Sequence, residues 1–229
     1  MVYHVLNRSN GRAGIFQRAG DYAAFEQVLR EAHEREPLRI LGYSVMPDHW
    51  HMVLWPRRGA DRQVSEFMRW LTVTHTQRHH AFHGTSGTGH LYQGRFKSFP
   101  IQDDEHLLTV LRYVERNPLR ARLVARAQDW RWCSLWRRKY GDDEHRLLLS
   151  DWPVGRPRNW IERVNRPESE AELAALRRCV VRGRPYGDDG WLLRVVRRLG
   201  LEYTIRSRGR PKKRRKRGRE SFPPNKHGG

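Results

Sequence analysis

The seven residues His49-Trp50-His51-Met52-Val53-Leu54-Trp55 constrain the fold of this chain more than any other stretch. They alternate with period two, start at the Pro47-Asp48 turn and stop at Pro56, which marks a β-strand. The apolar run Ile40 to Val45 before the same turn reads as a second strand. Residues i and i+2 of a strand share a face, so His49 and His51 point one way while Trp50 enters the core. Two imidazoles spaced ~6–7 Å along a pleat suit one divalent ion. Two histidines on a sheet surface have the same spacing, and the tripeptide alone leaves both readings open.

The flanking segments build an α+β domain around these strands. Tyr3 to Leu6, with Val2 before it, reads as a short strand, and Asn7 to Gly14 as a loop. Asp21 is placed to cap a helix to about Glu34, with Tyr22, Phe25, Val28 and Leu29 at helical spacing. A longer helix spans about Arg62 to His80, with Val64, Phe67, Met68, Leu71 and His75 on one side. After a Gly/Ser/Thr loop, Leu91 to Ile101 reads as a strand or a hairpin. Asp103 or Asp104 then caps a helix containing Leu107, Leu108, Val110 and Leu111. The order βαββαβ followed by a helix predicts a ferredoxin-like antiparallel sheet with helices on one face, over residues 1–150. Residues 151–205 form a small helical region. Ser169-x-x-Glu172 is a capping box, and Asp188-Asp189-Gly190 opens a second helix. A helix-turn-helix and a plain helical hairpin both fit that pair.

Charge narrows the partner. The chain carries 45 Lys/Arg against 25 Asp/Glu, a net +20. Residues 206–229 alone hold 11 basic residues and one acidic residue, so half of the excess sits on a tail expected to be disordered. Its Arg208-Gly209-Arg210-Pro211 run resembles an AT-hook. Arg208, Arg210, Lys212, Lys213, Arg214 and Arg215 are candidate contacts to duplex DNA. No uncharged apolar run approaches the ~18 residues of a membrane span. Cys133 and Cys179 form no disulfide framework, and no signal peptide opens the chain. A cytoplasmic, nucleoid-associated protein is therefore expected. Neither a Walker A loop nor GxGxxG is present.

A second cluster lies in Tyr113-Val114-Glu115-Arg116-Asn117-Pro118, where Tyr113 and Asn117 are i, i+4 and share a helix face. Pro118 disfavours helical backbone at Asn117, so the helix is expected to end or kink there. A packed core tyrosine and a helix-terminal asparagine are the plainer readings of the same residues.

Met46-Pro47-Asp48-His49-Trp50-His51-Met52-Val53-Leu54-Trp55-Pro56 resembles the HUH strand of single-tyrosine transposases. Tyr92-Gln93-Gly94-Arg95-Phe96-Lys97-Ser98-Phe99 and Arg112-Tyr113-Val114-Glu115-Arg116-Asn117-Pro118-Leu119-Arg120-Ala121 resemble the rest of that signature. The three motifs in this order are most similar to the REP-associated tyrosine transposases, over about residues 3–140. Asp48 departs from the Asn that many relatives carry there. The resemblance implies that His49, His51 and Asn117 hold Mg²⁺ or Mn²⁺ and that Tyr113 is the nucleophile. A phenol ordinarily ionises near pH ~10, so such a site must favour the phenolate during attack. The implied substrate is single-stranded DNA beside a hairpin, cut through a 5′-phosphotyrosine and rejoined, by a monomer or homodimer. Arg8, Arg12, Tyr92, Arg95, Phe96, Lys97, Arg112, Arg116 and Arg120 are the candidate strand contacts in the folded body. A non-catalytic DNA-binding or regulatory protein derived from a transposase is the alternative. His75 and His79 lack the Glu of HExxH and read as packed or solvated imidazoles. Asp142-Asp143-Glu144 reads as an acidic turn, and Cys133 as a core residue.

Overall fold

A computed structural model describes residues 1–60, 62–141 and 146–206. The HUH-like segment becomes strand β3 (His49–Trp55), flanked on both sides by β1 (Val2–Arg8) and β2 (Arg39–Met46). With β4 (Lys97–Ile101) beyond β1, the antiparallel sheet has the order β2-β3-β1-β4. His51 lies opposite Leu6 of β1 and Ser44 of β2. Pairing on both edges pins the register of β3, and with it the face to which each side chain belongs.

Helices α1 (Ala19–Arg35) and α2 (Gln63–His83) cover one face. Tyr22, Phe25, Val28, Leu29, Phe67, Met68 and Leu71 pack there on Val5, Tyr43, Val45, Trp50 and Met52. Asp21 is not the N-cap of α1, which is Arg18, and it caps the helix from inside the first turn. The helix starts at Ala19, and one Asp21 carboxylate oxygen accepts the N–H groups of Gln17 and Arg18 at 2.9 Å each. Both apolar stripes follow the predicted helical spacing.

The expectation of helices on one face is corrected. Helix α3 (Glu105–Arg120) lies on the opposite face with α4 (Ser134–Tyr140), α5 (Trp160–Asn165) and α6 (Glu170–Arg182). The physical reason is that the sheet is apolar on both faces. Val2, Leu41, Val53 and Phe99 form this second core with Leu107, Val110, Leu111, Val114, Trp160, Val164 and Leu176. Residues beyond position 150 thus share one core with the sheet and α3. Helix α7 (Asp189–Leu199) follows, capped by Asp188 and ended by Gly200.

Two further expectations change. Within Leu91 to Ile101 only Lys97–Ile101 is a strand, and Tyr92 makes a single bridge to Ser9. Pro118 does not end α3, which continues through it to Arg120. Among the described residues no helix is long and apolar enough to cross a membrane. Both cysteines are free and buried. The tail contacts Arg208, Arg210, Lys212, Lys213, Arg214 and Arg215 and the run Asp142, Asp143 and Glu144 lie outside the described residues.

Candidate active site

Strand parity sends His49 and His51 toward α3 and Trp50 into the opposite core. On α3, Tyr113 and Asn117 stand one turn apart on the face that meets them, because the helix runs on past Asn117. Together with Asn7, Arg8, Lys97 and Arg120 these side chains line one cleft of about 460 Å³. The Tyr113 ring meets the His51 ring edge-on at a centroid distance of 5.8 Å, and the His49 and His51 rings are 5.0 Å apart.

Each imidazole has a partner that fixes its orientation. His49 Nδ1 bonds the Asp48 carboxylate at 2.5 Å, and His51 Nδ1 bonds His4 Nε2 at 2.9 Å. His4 is fully buried on β1, against Phe99 and the edge of Tyr113. Burial lowers the pKa of His49 against the opposing effect of Asp48. Burial, then His49 and His4, holds His51 well below the usual imidazole range. Burial alone pushes His4 down to about 3. Neutral imidazoles with occupied Nδ1 atoms leave Nε2 for a metal. For His51 this requires Nδ1 to carry the hydrogen and donate it to His4.

Asn117 contributes an amide. Its Oδ1 accepts from Arg120 Nη2 at 2.8 Å, and its buried Nδ2 has no partner among the described residues. Among those residues no group of three or more His, Cys, Asp or Glu is clustered to hold a metal. The donor set of two imidazoles and an amide oxygen fits Mn²⁺ or Mg²⁺ in its chemistry.

The predicted strand contacts divide by position. Arg8, Arg95, Lys97 and Arg120 line the cleft, and Phe96 sits in an adjoining groove. Arg12 is exposed on a 3-10 turn and does not line the cleft. Tyr92 is corrected: it is buried, its hydroxyl bonds Trp50 Nε1 and His75 Nδ1, and it presents no face to a base. Arg112 pairs with Glu172 at 2.7 Å. Arg116 pairs with Glu168 at 3.0 Å and donates to the Val164 and Asn165 carbonyls, so it ties α3 to the C-terminal helices. Arg120 lies over the Tyr113 ring, 4.3 Å from its centroid, and reaches Glu168 at 3.4 Å. Sequence reasoning missed His4, Glu168 and the cleft-lining Asn7. Only His4 left a signal, being a histidine inside an otherwise apolar strand segment.

The model of the IS200-like transposase family matches residues 1–117, over half of the chain, and the chain belongs to that family. The protein is similar in structure to a REP-associated tyrosine transposase bound to a REP hairpin. Identity is 19%, the TM-score is 0.47, and the match covers 68% of this chain and 90% of that one. It is also similar to a Deinococcus radiodurans protein described as a transposase, at 17% identity and a TM-score of 0.39, covering 50% and 88%. No curated protein matches the chain.

Proposed function

We propose that the protein is a metal-dependent transesterase that cuts and rejoins single-stranded DNA beside hairpins, with Tyr113 as the nucleophile. One observation carries this reading: a phenol and an amide from α3 converge with two imidazoles from β3 in one basic cleft. A plain DNA-binding module has no use for that convergence.

His49, His51 and Asn117 would hold Mg²⁺ or Mn²⁺, which when bound supplies Lewis-acid stabilisation of charge on a phosphoryl oxygen. The side chains of the protein do the rest. Asp48 and His4 keep the two imidazoles oriented. Arg120 holds the Tyr113 ring and the Asn117 oxygen in one arrangement, which removes rotational freedom before reaction. Arg8, Arg95 and Lys97 offer positive charge to the phosphates on either side. Tyr113 Oη gives up its proton and attacks phosphorus, the bond from phosphorus to the 3′ oxygen breaks, and that oxygen takes up a proton and leaves as a 3′-hydroxyl. The 5′-phosphotyrosine retains the phosphodiester's energy, so the reverse attack by a 3′-hydroxyl rejoins strands without ATP.

The test is an SDS-stable protein–DNA adduct formed with a hairpin-flanked single strand and Mn²⁺. Wild-type protein should form it, and chelation should prevent it. Tyr113→Phe should abolish it, and an adduct in that variant would show that another residue is the nucleophile.

A further inference from the structure

The catalytic cleft does not end at Arg95. A second groove of about 510 Å³, lined by Arg62, Arg69, Thr72, Gly94, Arg95 and Phe96, shares Gly94 and Arg95 with it. The two lie on different sides of the sheet. The catalytic cleft faces α3, while the second groove runs along α2, which packs on the other face. Gly94 and Arg95 form the pass between them, just before the edge strand β4. The Gly94 carbonyl is held by Asn7 Nδ2 at 3.2 Å, and a methyl group added at Gly94 would meet no atom within 4 Å. The pass is therefore anchored and open.

We propose that this second groove binds the single-stranded DNA that continues from the scissile phosphate, an assignment that rests on the function proposed above. Three observations select the ligand. Arg62, Arg69 and Arg95 are exposed and outnumber the single acidic residue, Glu66, so the groove suits a polyanion. Phe96 is half-buried, with its inner side packed on the core, and gives a fixed aromatic surface for a base. The path turns around the edge of a sheet, which a flexible single strand follows and a duplex with a persistence length of about 150 base pairs does not.

The test uses the full chain carrying Arg62→Ala and Arg69→Ala, at exposed positions just before and within α2. The comparison protein carries Arg35→Ala and Arg197→Ala, which remove equal charge elsewhere. The probes are a hairpin with a long oligothymidylate flank and the same hairpin with none. The groove variant should bind the flanked probe about fivefold or more weakly, with a log–log salt slope shallower by ~1.4, from ~0.7 for each lost phosphate contact. Binding of the unflanked hairpin should not distinguish the two variants. Iodouracil placed along the flank should crosslink to residues 94–96. Equal binding of the flanked probe by both variants, or equal competition by a blunt duplex, would overturn the proposal. The Tyr113 adduct assay on wild-type protein is read in parallel. Its failure would sink the catalytic reading, whereas a normal adduct with an indifferent groove variant would sink only the strand path.

Discussion

At the residue scale, the site depends on a histidine that no motif marks. His4 touches neither cleft nor solvent, yet its Nε2 holds His51 Nδ1 at 2.9 Å and its ring packs on Phe99. Partners of this kind orient a ligating imidazole and set its tautomer. His4→Ala should therefore weaken Mn²⁺ binding about 10- to 100-fold, measured by electron paramagnetic resonance titration, while far-UV circular dichroism stays unchanged. Unaltered Mn²⁺ affinity would reduce His4 to a packing residue. The alternation of β1 puts His4 on one face with Val2 and Leu6, and that much was legible. The contact was not, because it depends on the β1–β3 register.

At the element scale, α3 is held from behind by Glu115. This fully buried carboxyl accepts Ser134 Oγ and Trp160 Nε1, each at 2.6 Å, and so ties α3 to α4 and α5. Burial raises its pKa, and the two donors oppose that rise. Close approach to the sheet is allowed at Gly42 of β2, where an added methyl would lie 2.8 Å from Leu111 and 3.2 Å from Ser134 Oγ. Glu115→Ala leaves two buried donors without an acceptor and should cost about 2–4 kcal/mol in urea unfolding. A change below the resolution of that measurement would mean that water replaces the carboxylate. The α3 helix also shows why Pro118 misled as a stop signal. Proline removes its own N–H, crowds the Val114 carbonyl and restricts Asn117, yet packing of Leu107, Leu111 and Val114 holds the last turn helical.

At the scale of the whole molecule, the C-terminal helices complete the layer that carries α3. Trp160, Val164, Leu173, Leu176 and Cys179 share a core with Val2, Val53 and α3. Glu168 and Glu172 anchor Arg116, Arg120 and Arg112 on the tyrosine helix. A chain ending at residue 150 should therefore lose its cooperative thermal transition rather than persist as an active fragment, as differential scanning calorimetry would show. A sharp transition near the full-length midpoint would prove that residues 1–150 fold independently.

The sequence by itself determined the local elements and the chemistry they carry. Period-two alternation placed His49 and His51 on one strand face, and i, i+4 spacing placed Tyr113 beside Asn117, because both depend only on backbone geometry. The net +20 and its concentration in residues 206–229 were likewise read without coordinates. Tertiary structure alone decided that α3 takes the face opposite α1 and α2, that Tyr92 is spent in the core, and that Arg112 and Arg116 are spent on internal carboxylates. An arginine beside a motif looks the same whether its partner is a phosphate or a glutamate fifty residues away. Only packing brings Glu168 to Arg116, and only the sheet edge at Gly94 and Arg95 joins the two grooves.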